Sequence, residues 1–257
     1  MSTNAKNKRE NANSQMKNII SFANNSETRA FLETQLKKSG LDCDEHEFLD
    51  ALKEYAKQGN PHGQNLLGIC LHVGYGCEVN LREAIKWWTK AAEQGEDCSQ
   101  YSLGTCYYQG IAVRKNYKKA VYWLEKSALQ DNCKAQTLLG DCYYYGDGVD
   151  KNLETAICWY TKAAALGDID AHYSLGVCYF NGDGVRKNIK KAFECFKIAA
   201  EGGIPDAQYH LANCYLHGWG VKPNTKMAWE WFVKAAKQNH EEALDVVNKV
   251  LNFAEQE

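Results

Sequence analysis

Residues 135–168 read AQTLLGDCYYYGDGVDKNLETAICWYTKAAALGD. Ala135, Leu138, Leu139, Cys142 and Tyr143 recur at helical spacing, which makes one face of a helix apolar. Gly146-Asp147-Gly148 ends that helix, because two glycines so close supply the positive φ values of a turn. Val149 follows as a plug under the turn. Asn152 stands where a helix N-cap is needed, its side-chain oxygen placed to accept a backbone N–H of the first turn. A second apolar stripe follows in Ala156, Trp159, Tyr160, Ala163 and Ala164, and Gly167 stops it. The stretch is a helix pair.

Working outward, the pair occurs five times at a spacing of 36 residues, without insertion or deletion. Gly68, Gly104, Gly140, Gly176 and Ala212 form one column, Cys70, Cys106, Cys142, Cys178 and Cys214 another. Asn80, Asn116, Asn152, Asn188 and Asn224 hold the N-cap position every time. The small residues allow close helix approach, and Trp87, Trp123, Trp159 and Trp231 are expected to fill the space between; Cys195 replaces the Trp in the fourth unit and predicts a looser spot there. A fixed period of roughly 20–50 residues is what stacked supersecondary units write into a chain. The predicted fold is all-α: a right-handed α/α solenoid (superhelix) of antiparallel helix pairs.

Composition sets the limits of function. Hydrophobic residues make up 45% and charged residues 24% of the 257, with a net charge of −2. That balance gives no electrostatic footing for nucleic acid or an acidic membrane surface. No apolar run reaches the ~18–20 residues of a membrane span, so membrane insertion is not expected. The first segment, MSTNAKNKRENANSQMKN, lacks the apolar stretch of a secretory signal, and Arg9 beside Glu10 is a poor mitochondrial presequence. Eleven cysteines in that context predict reduced thiols and a cytoplasmic or nuclear location.

The expected organisation is a disordered tail over 1–25, N-terminal capping helices over 26–61, five repeats over 62–239, and a C-terminal capping helix and tail over 240–257. Ser26 to Ser39 reads as a short helix stopped by Gly40. Residues 44–58 align with the second helix of an incomplete unit. Glu241 to Glu255 begins as a sixth unit but loses the glycine turn, as a terminal cap would.

Leu139-Gly140 with Tyr143, then GDGV, Ala156, Trp159-Tyr160 and KAAALG, resembles the Sel-1-like repeat, a relative of the tetratricopeptide repeat. The likeness covers residues 62–239, about seventy per cent of the chain. The resemblance implies an α/α solenoid acting as an adaptor or scaffold for other proteins. A secreted, cysteine-rich branch of the family staples each repeat junction with a disulfide. The matching positions here are Ala92 and Gln100, Ala128 and Gln136, Ala164 and His172, and Ala200 and Gln208. None is Cys, which argues against the exported form and its ligand activity.

No arrangement for catalysis, cofactor or metal is predicted. Equivalent cysteines in successive repeats should lie one helix-packing distance apart, roughly 8–10 Å, too far for a disulfide or shared zinc. They read as small packing hydrophobes. The GDGV turns at 146–149 and 182–185 lack the strand and the longer Gly spacing of a phosphate loop. The seven histidines are scattered, and no Ser, His and acid set suggests nucleophilic attack. The chain is not expected to be an enzyme.

Function should then sit on residues that do not repeat. In tetratricopeptide-like stacks the first helices line the concave surface. The columns of His62, Asn65, Ile69, His72 and Val73 share one face of those helices, opposite Gln64, Leu67, Gly68 and Leu71. Across the repeats this face supplies Tyr101 and Tyr108, then Asp141, Tyr144 and Tyr145, then Tyr173 and Phe180, then Tyr209, Asn213 and His217. Tyrosine combines large contact area, low entropy cost and a hydroxyl, and is frequent at binding hot spots. The column Tyr107, Tyr143, Tyr179 and Tyr215 is expected in the core. The leading expectation is a non-enzymatic interaction scaffold, monomeric or weakly self-associating, holding a partner protein segment in the groove. The alternative is a small-molecule or glycan binder or hydrolase using the same groove, for which Asp141, His210 and His217 are the nearby titratable groups.

Overall fold

In a computed structural model, residues 45–254 are described. The expected tail over 1–25 and helix over 26–39 lie outside them. The chain divides into two compact units, Met1–Asn132 and Cys133–Glu257. Every element among the described residues is a helix.

The first unit contains α1 (Glu45–Lys57), α2 (Pro61–Val73), α3 (Leu81–Glu93), α4 (Asp97–Gln109) and α5 (Tyr117–Ala128). The pairs α2–α3 and α4–α5 pack internally, α3 packs on α4, and α1 lies against α2 as the second helix of an incomplete unit. The second unit contains α6 (Cys133–Tyr145), α7 (Leu153–Ala165), α8 (Ile169–Asn181), α9 (Ile189–Glu201), α10 (Pro205–His217), α11 (Thr225–Lys237) and α12 (Glu241–Ala254). Here too each helix packs on the next, with α12 covering α11. Both units have the architecture of an α/α solenoid.

The helix ends follow from the sequence. Asn80, Asn116, Asn152, Asn188 and Asn224 each accept, through Oδ1, the backbone N–H three residues on, at 2.9–3.0 Å. Each such cap stabilises its helix by about 1 kcal/mol. The first helices end on a left-handed residue, Gly146 with φ 84° after α6. Two positions later the turn again needs positive φ; Gly148 provides it in the third repeat, while Ala112 holds φ 53° in the second despite its Cβ.

Within each pair the contact is made by the missing side chain. A Cβ on Gly140 would stand 2.5 Å from Cε1 of Tyr160, and one on Gly176 2.6 Å from Cδ1 of Phe196. Leu124 fills the same place against Gly104, and Trp88 against Gly68. The large residue between helices is thus the one after the expected Trp column. Tyr160 and Phe196 are fully buried, each worth roughly 1.5–3 kcal/mol of apolar burial. Trp231 is buried, as expected of its column, but Trp87, Trp123 and Trp159 are half-buried at the edge. Lys90, Lys126 and Lys162, three residues on, lie over them at 4.2, 5.6 and 4.3 Å from the ring centroids. An indole is long enough to reach the core from one side and meet a lysine stem on the other.

At the repeat junctions, where the resemblance places cysteines in its secreted branch, this chain has glutamine in Gln100 and Gln208 and histidine in His172. Gln100 Nε2 donates to Ala92 O at 3.1 Å, and Gln208 Nε2 to Ala200 O at 3.2 Å. A second glutamine adds a rung: Gln94 to Gln64 Oε1 at 2.8 Å, Gln130 to Gln100 Oε1 at 2.9 Å, Gln238 to Gln208 Oε1 at 3.0 Å. In each rung an exposed glutamine reaches a buried one, Gln64, Gln100 or Gln208, so the junction is held by hydrogen bonds and not by a covalent staple. At the corresponding outer places in the middle of the second unit stand Leu166 and Gly202.

Candidate functional site

In the first unit the expected open face is partly closed. Asn65 and Ile69 are buried. Trp88 Nε1 donates to Asn65 O at 3.2 Å, and Ser99 Oγ to Asn65 Oδ1 at 2.9 Å. Trp88 and Ser99 come from the neighbouring helices α3 and α4, which the spacing within one helix does not reveal. Tyr101 and Tyr108 are half-buried. Tyr108 packs edge-on against Tyr117 at 5.2 Å, and Lys115 lies 4.7 Å over Tyr117.

The same unit buries a carboxylate. Glu96 caps α4 by accepting from Ser99 N at 2.6 Å, while its Oε1 has no hydrogen bond and faces His62 Nδ1 at 3.7 Å. Burial pushes Glu96 up to about 7, against the downward pull of the Ser99 donors. Glu96, Asp97 and Cys98 bring their donor atoms within 4.8 Å of one another. Those carboxylates are engaged in capping and in accepting from Asn132 Nδ2 at 3.0 Å.

In the second unit the structure gathers four of the expected residues around one open cavity of about 130 Å³. Asp141, Tyr144 and Tyr145 come from α6, and Tyr173 from α8. Tyr160, Ser174, Val177 and Cys178 complete the lining. Tyr160 Oη donates to Asp141 Oδ1 at 2.7 Å. Burial pushes Asp141 up to about 6, and the like charges of Asp168 and Asp170 add to it. Burial also raises the phenols of Tyr144 and Tyr173, the latter to about 12, so both stay protonated at neutral pH. Tyr144 Oη donates to Asp183 Oδ2 at 2.8 Å, and its ring meets Tyr145 edge-on at 4.9 Å. Tyr145 is 66% exposed.

The remaining expected residues lie elsewhere on this unit. Phe180 packs against Trp219 at 5.2 Å, and His217 against the same indole at 4.8 Å. Tyr209 stacks on His240 at 4.7 Å. Asn213 turns its amide back to Tyr209 O at 3.0 Å. His210, stacked on Phe196 at 4.8 Å, does not line the cavity. Tyr107, Tyr143, Tyr179 and Tyr215 are half-buried, not sealed in the core. Lys119 and Lys191 cover Tyr107 and Tyr179 at 5.3 and 5.2 Å.

Tyr160 escaped the sequence reading because it sits on a second helix. A signal was there all the same. Its column reads Trp88, Leu124, Tyr160, Phe196 and Phe232, and only Tyr160 carries a hydroxyl. The facing column reads Ile69, Thr105, Asp141, Val177 and Asn213, and only Asp141 is an acid. Both departures fall in one repeat. The cysteine column carries no such chemistry: Cys106, Cys142, Cys178 and Cys214 are free thiols that burial pushes up to about 11 or 12.

The Sel1 repeat model matches residues 61–96, 99–132, 133–168, 169–204 and 205–240. The chain belongs to the Sel1 repeat family. Among solved structures it resembles a Sel1 repeat protein from Oxalobacter formigenes, at 34% identity and a TM-score of 0.75, over 86% of this chain and 87% of that one. It is also similar to c5321, a protective antigen of uropathogenic Escherichia coli with the same repeat fold. That match has 31% identity and a TM-score of 0.71, over 84% of this chain and 46% of that one. A Sel1 repeat protein from Klebsiella pneumoniae, 19% identical with a TM-score of 0.53 over 79% of this chain and 98% of that one, shares the fold. No curated protein matches the sequence. The family's fold is commonly an interaction scaffold and generally not an enzyme. No helix among the described residues is long and apolar enough to cross a membrane.

Proposed function

We propose that this chain is a non-enzymatic scaffold whose first-helix aromatic residues hold a segment of a partner protein. The observation that carries this reading is the grouping of Tyr144, Tyr145 and Tyr173 around an open cavity. Core packing does not require a tyrosine that is 66% exposed, as Tyr145 is. Rigid amphipathic rings on a helical frame lose little entropy when a partner covers them. Tyr101 and Tyr108 offer a comparable half-buried face on the first unit. Glutamine in place of cysteine at the repeat junctions favours a reducing, cytoplasmic or nuclear setting.

A glycan hydrolase reading draws no support from the cavity. Asp141 is the one carboxylate in its lining and no histidine joins it, whereas glycoside hydrolysis takes a pair of carboxylates.

The test is the triple substitution Tyr108→Ala, Tyr144→Ala and Tyr173→Ala in the full chain, compared with wild type by affinity purification and quantitative mass spectrometry. Partners lost by the variant, with far-UV circular dichroism unchanged, are the expected result. The same partners recovered at the same level from a folded variant would overturn the assignment.

A further inference from the structure

We propose that the cavity between α6, α7 and α8 is a receptor for an alkylammonium cation, with Asp141 as counter-charge and the rings of Tyr144, Tyr145 and Tyr173 as walls. The inference deepens the scaffold reading by naming the side chain a partner would present. It can also be tested without any partner.

The carboxylate and the tyrosine rings of the lining favour positive charge, and Ser174, Val177 and Cys178 complete it without adding a cation. Asp141 is a carboxylate half withdrawn from water, held by one phenol donor, Tyr160 Oη at 2.7 Å. The other charges that act on it, Asp168 and Asp170, have its own sign. Lys134 is bonded to those two acids, at 3.4 Å to Asp168 Oδ1 and 2.7 Å to Asp170 Oδ2, and does not line the cavity. The negative potential at Asp141 is therefore not matched within its own lining. Aromatic faces attract cations through the ring quadrupole, more strongly where water is excluded. This chain uses that attraction repeatedly: Lys151 already lies 5.6 Å from the centroid of Tyr144, outside the cavity lining.

Size and donor type separate the candidates. A volume of about 130 Å³ is several times what one water needs, and suits a head group of a few heavy atoms. A bare metal ion would want three or more hard donors at bonding distance; one carboxylate among protonated phenols does not supply them. An anion meets a carboxylate and ring faces. A neutral apolar group would leave Asp141 desolvated and unmatched. An ammonium carried on an alkyl chain, primary or methylated, satisfies carboxylate and rings together.

The arrangement is particular to the third repeat. Its Gly140 lets the Tyr160 ring pass under α6 at a distance no Cβ would tolerate, and that brings the phenol to Asp141. In the other repeats Ile69, Thr105, Val177 and Asn213 stand where Asp141 does.

The experiment titrates the full-length 15N-labelled chain with tetramethylammonium and with a short peptide carrying one trimethyllysine. The same peptide with unmodified lysine, and with the uncharged tert-butyl isostere of trimethyllysine, completes the series. Saturable shifts at Asp141, Tyr173 and Val177 for the cations are expected, with at least tenfold weaker binding of the isostere. Asp141→Asn, isosteric and still offering an oxygen to Tyr160 Oη, should weaken the cations at least tenfold, and Tyr145→Ala, at an exposed ring, several-fold. Tighter binding of the peptides than of tetramethylammonium would point to a partner's lysine; equal binding would point to a free amine. Both support the cation site. Equal affinity for the isostere, undiminished binding by folded Asp141→Asn, or no saturable shift up to about 20 mM cation would overturn it. Because partner capture is read separately, loss of the scaffold reading and loss of this one cannot be confused.

Discussion

The pairs α2–α3 and α6–α7 obey one grammar and end in opposite places. In α2–α3, Ile69 and Trp88 close the face: the indole lies against Gly68 and its N–H is spent on Asn65 O. In α6–α7, Asp141 and Tyr160 occupy those two positions, and the same close approach at Gly140 ends in an open, acidic, tyrosine-walled cavity. Two residues per repeat convert glue into a site. The helix pair itself is indifferent to the exchange, because the turn glycines, the asparagine caps and the small-residue contact are untouched by it.

The sharpest way to break this comparison is at the contact both pairs share. Gly140→Ala places a Cβ 2.5 Å from the Tyr160 ring and should cost about 3 kcal/mol, since a ring wedged between helices has no free rotamer. Gly104→Ala meets Leu124 Cγ and Cδ2 at 2.7 and 2.8 Å, a side chain that can turn aside, and should cost about 1 kcal/mol. Urea denaturation of the two variants measures both; equal costs would mean that the large residue's identity does not matter.

A second contrast is electrostatic. Glu96 in the first unit has a pKa raised to about 7 by burial, well above the unfolded value of about 4.3. The folded state therefore holds its proton more tightly than the unfolded chain. Its favourable share is complete below the unfolded pKa and is lost as pH rises through 7. Wild type should lose about 2 kcal/mol of stability between pH 5 and 8 from this group, and Glu96→Gln should flatten that slope. Denaturation followed at several pH values through Trp87, Trp88 and Trp123 reads it.

The smallest effect tests the turn. Ala112 holds φ 53° where Gly76, Gly148, Gly184 and Gly220 stand in the other repeats. Ala112→Gly should raise stability by up to about 1 kcal/mol, the cost of a Cβ in the left-handed region less the entropy glycine loses. A lower melting midpoint in calorimetry would show that Ala112 packs well enough to outweigh its strain.

Much of this was legible in the chain. The period, helix pairs and caps were readable because each is set by residues within a few positions of one another: Asn152 meets its N–H three residues on. The Trp column held for the buried Trp231 and misled at Trp87, Trp123 and Trp159, because hydrophobic size predicts burial without saying which of two adjacent large residues faces the neighbouring helix; Trp159 and Tyr160 differ in direction by one helical step. Of the candidate site, Asp141, Tyr144, Tyr145 and Tyr173 could be picked from their column. That Asn65 and Ile69 are sealed in the same columns depends on Trp88 and Ser99, contributed by other helices.

The sequence by itself determined the all-α class, the five helix pairs, their caps and turns, and the place of glutamine at the repeat junctions. These are local rules repeated at a constant interval, so one window of 36 residues carries them all. The tertiary structure alone decided that Tyr160 reaches Asp141, which aromatic residues are buried, and which stretch of the first-helix face opens into a cavity. Those outcomes turn on distances of an ångström or two between side chains 19 to 32 residues apart, and such approach is set by how helices pack, not by the spacing within any one of them.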